Sequence, residues 1–219
     1  MNRMEKKLYI TSLIAAFVLI AISQVDLWIS GLFYNTQTAF PLRYEPFYAF
    51  IHKEWPICIY ALLALTAGLW LSGKIKKNAV FAIKNKTFVF VMASFVLIPG
   101  LIVNGIFKCL WGRARPNQII EFGGDKDFSA PLVIAGQCGS NCSFPSGHAA
   151  LAFWTIALAL ILPKKIRPYG VVAALTMGVV VSYARIAQGA HFFTDTMFSL
   201  VIVVPLVFLM WKRMGLDKD

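Results

Sequence analysis

The sequence predicts an all-α protein that crosses a membrane several times, and three observations support this prediction. The 219 residues are 58% hydrophobic and only 14% charged, with a mean hydropathy of +0.68. A soluble domain has about a quarter charged residues and under half apolar ones. The apolar residues form long runs, and basic residues concentrate between alternate runs. A soluble enzyme, a disordered chain and a nucleic-acid-binding domain are therefore disfavoured.

Six segments are predicted to cross the membrane, since a spanning helix needs about 17 to 25 mostly apolar residues. They are residues 8–24, 55–73, 87–107, 146–163, 168–189 and 193–211. The last two contain Arg185 and Asp195 near their ends, and charges inside a span are costly and usually functional. No repeat or linker divides the chain, so we predict one domain, a bundle of six transmembrane helices.

The first span also resembles a signal peptide, with a basic start and small residues at Ala21 and Ser23. Its apolar run is long for a signal peptide, so a retained anchor is favoured; cleavage would leave five spans. The following residues, 27–54, are rich in aromatic side chains and too polar to span. They are typical of a segment in the membrane interface, either a loop with an aromatic belt or a lip that receives a lipid.

Basic residues predict the orientation. Fourteen of the 21 lie at the N-terminus, after the second and fourth spans, and in the C-terminal tail. Lysine and arginine collect on the cytoplasmic side, so both termini are predicted to be cytoplasmic. That side accounts for the formal charge of +11. The outward side, which consists of the loops 25–54, 108–145 and 186–192 together with Arg185 and Asp195 at the outer span ends, holds seven basic and seven acidic residues.

The cysteines occur in two settings. Cys58 and Cys109 lie in or beside spans, where a thiol is a small apolar side chain. Cys138 and Cys142 lie in an outward loop with no further cysteine or histidine before His148, which disfavours a metal site. An oxidising compartment favours a disulfide between them, and it would stiffen the loop that precedes His148.

Three polar clusters are predicted to meet at the outer face of the bundle. They are Lys108 to Pro116 after the third span, Phe144 to His148 before the fourth, and Arg185, His191 and Asp195 between the fifth and sixth. Their arginines have a fork of donors that suits phosphate oxygens, and Ser146 and Gly147 begin a helix whose free backbone N–H groups favour an anion. Each cluster alone is more simply a membrane anchor, a helix cap or a structural hydrogen bond. Their concentration at one face favours a phosphate site.

Two histidines in these clusters suit catalysis. His191 and Asp195 are four residues apart and share a face if the segment is helical. A carboxylate on one ring nitrogen fixes the tautomer and makes the other nitrogen more nucleophilic. His148 is placed to give a proton to a leaving oxygen.

These clusters resemble the motifs of the type 2 phosphatidic acid phosphatase (PAP2) superfamily, which read K-x6-R-P, P-S-G-H and S-R-x5-H-x3-D. The intervals fit from Lys108 to Asp195, over about residues 100–200. One position departs from the pattern, because Ala184 stands where the family usually has serine. The missing hydroxyl is expected to weaken phosphate contacts slightly and to leave the histidines untouched.

The resemblance implies a role for each matching residue. His191 would attack phosphorus and form a phosphohistidine, Asp195 would orient it, and His148 would protonate the leaving group and then activate water. The equatorial oxygens would be held by Lys108, Arg115, Ser146, Gly147 and Arg185. Arg113 lies outside the motif positions and is a candidate for a second phosphate or for head groups. No metal or other cofactor and no nucleic acid is implied; the partners are a lipid phosphate and the bilayer.

The outward loop is similar to that of bacterial lipid A phosphatases, especially the 4′-phosphatase subgroup. The similarity lies in residues 122–126, 131–134, 137–144 and 188–193. It implies dephosphorylation of lipid A, at the 4′ rather than the 1 position, on the periplasmic face of the inner membrane. A phosphatidylglycerophosphate or undecaprenyl diphosphate phosphatase would share every catalytic residue and stays an alternative. Vanadate haloperoxidases share the anion site but are soluble, and complete motifs disfavour a non-catalytic lipid transporter.

Overall fold

The protein is described by a computed structural model over residues 3–75 and 83–217, and this part of the chain contains helices, turns and two isolated β-bridges. The helices are α1 (Arg3–Ala21), α2 (Val25–Gly31), α3 (Pro46–Ile75), α4 (Asn85–Leu110), α5 (Gly147–Leu160), α6 (Arg167–Ala187) and α7 (Phe193–Arg213). Short 3₁₀ turns occur at Pro41–Tyr44, Pro116–Gln118 and Ile120–Phe122. The prediction of an all-α protein is confirmed for these residues.

Four helices, α3, α4, α6 and α7, are long and apolar enough to cross a membrane. Helices α1 and α2 pass the same test only as a pair, with a bend of 71° between them. Helix α5 is apolar but shorter than a usual span. The described residues therefore give four or five candidate spans, and a sixth span through α5 stays a prediction.

Helix α3 begins at Pro46, well before the predicted start near residue 55. Proline suits the first turn of a helix, because its ring fixes φ and its missing N–H is not needed there. The aromatic-rich segment therefore consists of α2, a 3₁₀ turn and the first turns of α3. This longer helix brings Tyr48 and His52 to the polar end of the bundle.

Helix α5 lies at the centre of the bundle, between α4, α6 and α7. Its sequence is apolar all round, which is the pattern of a helix with no solvent face. Phe153 and Trp154 are almost fully buried, and the Trp154 indole N–H donates to the Ser94 hydroxyl at 3.1 Å. Gly178 lets α6 approach, since a Cβ there would lie 2.1 Å from the Phe153 ring. This tight packing fixes the N-terminal end of α5, where His148 lies.

The predicted cytoplasmic ends of three helices lie together at the other end of the bundle. Lys86 Nζ, at the start of α4, donates to the Gly215 carbonyl just after α7 at 3.1 Å. The Arg167 guanidinium, at the start of α6, lies 5.2 Å from the centre of the Trp211 ring. The basic residues Lys76, Lys77 and Lys218 lie outside the described residues. The basic end of the bundle and the histidine clusters are therefore at opposite ends.

Candidate active site

The structure brings the three polar clusters together at one end of the bundle. Lys108 lies in the last turns of α4, and Arg115 lies in the loop that follows. Ser146, Gly147 and His148 lie at the start of α5. Arg185 lies at the end of α6, His191 in the next loop and Asp195 in the first turn of α7. The α6–α7 connection depends on Gly189, whose φ of +62° favours glycine. A Cβ there would also lie 2.4 Å from the Phe40 ring.

The His191 imidazole is fully buried at the centre of this arrangement. Its Nδ1 lies 2.7 Å from the backbone carbonyl oxygen of Ser143. A carbonyl can only accept a hydrogen bond, so Nδ1 carries the proton and Nε2 has the lone pair. Nε2 is buried and has no hydrogen-bond partner among the described residues. The free lone pair is therefore on Nε2.

Asp195 holds His191 through Ser143 rather than by the direct carboxylate–imidazole bond that the sequence suggested. Asp195 Oδ2 is 3.8 Å from His191 Nδ1, too far for a hydrogen bond. The same oxygen accepts from the Ser143 hydroxyl at 2.5 Å and from the Phe192 backbone N–H at 2.8 Å. Ser143 thus binds the carboxylate with its side chain and the imidazole with its carbonyl.

The surroundings keep the His191 imidazole neutral. Burial lowers the pKa of His191 well below its usual value of about 6.5, because a charged ring would lose its solvation. The Asp195 carboxylate acts in the opposite direction, and the positive charges of Lys108, Arg115 and Arg185 lower the pKa further. The Nε2 lone pair is therefore present at neutral pH, and three cations lie near it.

Lys108 and Arg115 both contact Asn141, which the sequence did not single out. Lys108 Nζ donates to the Asn141 side-chain oxygen at 2.8 Å, and Arg115 Nη2 donates to its backbone carbonyl at 2.7 Å. Asn141 has a φ of +49° and lies within the five-residue loop closed by the Cys138–Cys142 disulfide. This loop therefore supplies neutral oxygens to two cations that are expected to bind phosphate.

Arg185 is 2% exposed and is fixed from one side. Its Nη1 donates to the Gln188 side-chain oxygen at 2.5 Å, and Gln188 Nε2 donates to the Tyr48 carbonyl of α3 at 2.8 Å. Arg185 Nε is buried and has no partner among the described residues. The guanidinium is therefore held in place and keeps a donor that is not engaged.

Ser146 and Gly147 join the start of α5 to its neighbours. The Ser146 hydroxyl accepts from the Ala149 N–H at 3.4 Å, as a weak N-cap, and the Ser146 N–H donates to the Asp195 carbonyl at 3.1 Å. Gly147 is needed for a close approach, because a Cβ there would lie 2.6 Å from the Asn104 side-chain oxygen. Both residues are fully buried or nearly so.

His148 is also held by a backbone carbonyl. Its Nε2 lies 3.0 Å from the His52 carbonyl oxygen of α3, which can only accept, so Nε2 carries a proton. The two histidine rings are 5.5 Å apart. The nitrogen of His148 that is free for proton transfer is therefore Nδ1.

Arg113 does not match the expectation of a second phosphate contact. Its side chain is fully buried, and its donors are bound to Ser129, Thr194, Asp195 and Asp26. The physical reason is that an arginine buried this deeply needs carboxylate partners, and here there are two. This leaves the Arg113 guanidinium no free face for a phosphate or a head group.

Ala184 lies in an apolar cluster with Ile51, Ala152 and Val181. Its side chain is fully buried there. In this chain the position therefore contributes to packing between helices.

Arg43 is a further cation at the site that the sequence did not point to. A small cavity of about 30 Å³ is bordered by Arg43, His52, Arg115 and Arg185. With the Asn117 amide in the orientation that satisfies its hydrogen bonds, Arg43 Nη1 donates to its oxygen at 2.7 Å. Arg43 is one of the seven basic residues that the sequence places on the outward side. Its neighbours in the aromatic-rich segment form no motif, so the sequence offered no reason to select it.

Over residues 3–75 and 83–217, no group of three or more His, Cys, Asp or Glu could hold a metal ion.

The chain belongs to the PAP2 superfamily, because the model of that family matches residues 86–218, more than half of the sequence. The matched region contains every motif residue of the site. Both the arrangement of helices and the positions of the histidines therefore fit one family.

Particular relatives narrow the comparison. The chain is 34% identical over 203 residues to a lipid A 4′-phosphatase of Francisella tularensis subsp. novicida (strain U112), covering 89% of this chain and 88% of that protein. It is 39% identical over 123 residues to a lipid A 4′-phosphatase of Rhizobium leguminosarum, covering 54% of this chain and 52% of that one. A crystal structure of a transmembrane PAP2-type phosphatidylglycerolphosphate phosphatase from Bacillus subtilis matches with a TM-score of 0.57 at 22% identity, over 98% of this chain and 96% of that one. This last similarity shows the fold.

Proposed function

We propose that this protein is a PAP2-type phosphatase that removes a phosphate monoester from lipid A, at the 4′ rather than the 1 position. The substrate is suggested by the Francisella relative, which is similar over most of its length. The observation that carries the chemistry is the His191 Nε2 lone pair, buried and unengaged, with Lys108, Arg115 and Arg185 around it.

The first step follows from this geometry. His191 Nε2 attacks phosphorus while the bond to the leaving oxygen breaks, and His148 Nδ1, when protonated, gives its proton to that oxygen. The cations hold the equatorial oxygens, where charge accumulates in phosphoryl transfer. The product of this step is a phosphohistidine, with the Nδ1 proton of His191 still bonded to the Ser143 carbonyl.

The second step reverses these roles. His148, now neutral, accepts a proton from water, and the resulting hydroxide attacks the phosphorus on His191. The N–P bond breaks, phosphate leaves, and the Nε2 lone pair is restored. The carbonyls of Ser143 and His52 hold the two rings throughout, so neither imidazole needs to turn between steps.

The shape of the site suits an amphiphilic substrate. A cleft of about 450 Å³ runs from Lys108 and His148 along α3 and α4, and its walls are mostly apolar. Among its apolar residues are Tyr60, Phe95 and Leu151. A phosphate at His191 would therefore leave an apolar cleft for the rest of the lipid.

We further propose an orientation in the bacterial inner membrane. The bundle would have six spans, counting α5 and the bent α1–α2 pair, with both termini cytoplasmic and the site periplasmic. The distribution of basic residues supports this orientation. The aromatic segment would lie in the outer interface.

The test is a panel assay with the purified protein. Lipid A, phosphatidylglycerophosphate, phosphatidic acid and undecaprenyl diphosphate are supplied separately, and the products are measured by mass spectrometry. We expect lipid A to lose its 4′-phosphate, with activity retained in EDTA and absent in His191→Asn. Preference for a glycerophospholipid or polyprenyl substrate would contradict the choice of lipid A, and inactivation by EDTA would contradict a metal-independent reaction.

A further inference from the structure

A second group of charged side chains, Asp26, Arg113 and Asp195, is buried next to His191. We propose that Asp26 and Arg113 are positioning residues of the reaction: together with Asp195 they form a buried triad that keeps negative charge beneath the His191 ring. This rests on the proposed function, because it assigns a role in the same reaction. The residues would not touch substrate; they would act through Asp195 and Ser143.

The triad is continuous and fully buried. Asp26, Arg113 and Asp195 are all fully buried. Arg113 Nη2 lies 2.9 Å from Asp26 Oδ2, and Arg113 Nη1 lies 2.5 Å from Asp195 Oδ1. The guanidinium is thus shared between two carboxylates, and its plane packs against the Phe192 ring at 4.3 Å. Charged groups this deeply buried keep their charge only through such pairing.

Asp26 is also bound to the start of α7, next to Asp195. Asp26 Oδ1 accepts from the Thr194 backbone N–H at 2.8 Å, and Asp26 Oδ2 accepts from the Thr194 hydroxyl at 2.5 Å. The Thr194 hydroxyl in turn accepts from Arg113 Nη1 at 3.0 Å. Asp26 therefore caps the helix that carries Asp195 and fixes the arginine at the same time.

The bend between α1 and α2 places Asp26 in this position. The chain turns by 71° after α1, and Asp26 lies in the first turn of α2. After this bend, the Asp26 carboxylate lies within hydrogen-bond distance of Arg113 and of Thr194 at the start of α7.

The charges explain why two carboxylates are useful. Arg113 paired with Asp195 alone would neutralise it; with Asp26 present, the triad has a net charge of −1. The His191 ring becomes positive when the bond from Nε2 to phosphorus forms, while Nδ1 keeps its proton on the Ser143 carbonyl. Negative charge beneath the ring therefore stabilises the phosphorylated state, and no proton has to move into the triad.

The first test replaces the charge of Asp26 and keeps its shape. We expect Asp26→Asn to lower kcat about 10- to 100-fold, the effect of weakening one charge-assisted hydrogen bond, with KM within about twofold. The matched control is Ser30→Ala, which changes another fully buried side chain of α2 whose hydroxyl has no partner among the described residues. Ser30→Ala should keep the wild-type kcat.

The second test is a double-mutant cycle with Arg113→Met, which separates positioning from folding. Arg113→Met leaves two carboxylates without their cation, and Asp26→Asn leaves Asp195 neutralised by Arg113. The double variant Asp26→Asn/Arg113→Met retains Asp195 as the single charge, so its kcat should exceed that of Arg113→Met. A purely structural role predicts instead that kcat in the three variants only follows their thermal stability.

The outcomes separate this inference from the proposed function. Both lipid A and p-nitrophenyl phosphate are assayed for every variant, alongside thermal unfolding in detergent. Wild-type kcat in Asp26→Asn, or additive losses in the double variant, would overturn the triad while leaving the phosphatase intact. A wild-type protein that releases no phosphate from any substrate would overturn both.

Discussion

Arg113 and Arg115 are two residues apart in one loop, yet they lie in opposite electrostatic layers around His191. Arg115 belongs to the outer layer with Lys108 and Arg185, where hydrogen bonds are made to neutral oxygens of Asn141 and Gln188. Arg113 belongs to the inner layer, where two carboxylates neutralise it. The same residue type therefore has two uses. Arg115 keeps a positive charge that can bind an anion, whereas the charge of Arg113 is neutralised by carboxylates and holds Asp195 in place.

The physical basis is the difference in access. A buried charge without a partner is unfavourable, so the closed inner layer needs its carboxylates. The outer layer borders the cleft and the small cavity beside Arg43. Neutral oxygens can occupy its donors there without cancelling its charge.

Removing the inner arginine should have the largest effect on folding. Arg113→Met leaves Asp26 and Asp195 buried without a cation, and breaking a buried ion pair costs about 3 to 5 kcal/mol. The free energy of unfolding, measured in detergent with a chemical denaturant, should fall by about that amount. A stability equal to wild type would show that the inner layer is not held by these charges.

Removing the outer arginine should reduce catalysis instead. Arg115→Met takes one donor from the phosphate site, which typically costs about 10²- to 10³-fold in rate. Its free energy of unfolding should stay within about 1 kcal/mol of wild type, since its partner is a neutral carbonyl. Steady-state kinetics and unfolding of the same preparation check both parts; a loss of stability matching that of Arg113→Met would abolish the distinction between the layers.

The link between Asp195 and the ring should have an intermediate effect. Ser143→Ala keeps the carbonyl that binds His191 and removes the hydroxyl that binds Asp195. We expect kcat to fall about tenfold, the effect of one charge-assisted hydrogen bond. Ser182→Ala is the control, because Ser182 is a buried serine whose hydroxyl donates to the Gly178 carbonyl within α6. Equal activity in both variants would contradict a role for Ser143.

The smallest expected effect is on the pH dependence of stability. Burial lowers the pKa of His191 in the folded state, whereas in the unfolded state it is about 6.5. Below that pH the unfolded chain binds a proton that the folded protein does not, so stability is lost as the pH falls, by up to about 1.4 kcal/mol per pH unit. Between pH 6.5 and 5.5 the wild type should lose about 1 kcal/mol more than His191→Asn; an equal loss would mean that folding leaves this pKa unchanged.

The motif residues could be predicted from the sequence, because each is a distinct side chain at a fixed interval beside an apolar segment. Lys108, Arg115, His148 and His191 could be placed at one face from topology alone. The all-α fold followed from the same apolar runs. Each of these predictions needs only the types of side chain and their spacing along the chain.

The remaining contacts left no such signal. The carbonyls of Ser143 and His52 hold the two imidazoles, and every residue has a carbonyl. The pairing of Asp26 with Arg113 depends on a bend between α1 and α2, and hydropathy does not predict bends. Helix α3 extends back to Pro46 because packing against the site outweighs the polar residues in its first turns.

The most direct test of the central proposal is to trap phosphate on His191. In His148→Asn the second step should be slow, whereas p-nitrophenyl phosphate needs no proton donor for its leaving group. We expect mass spectrometry after an alkaline quench to find a phosphoryl group on the peptide containing His191, labile to acid and absent from His191→Asn/His148→Asn. A phosphoryl group on another residue, or phosphate release by an active enzyme with no phosphorylated histidine under these conditions, would contradict His191 as the nucleophile.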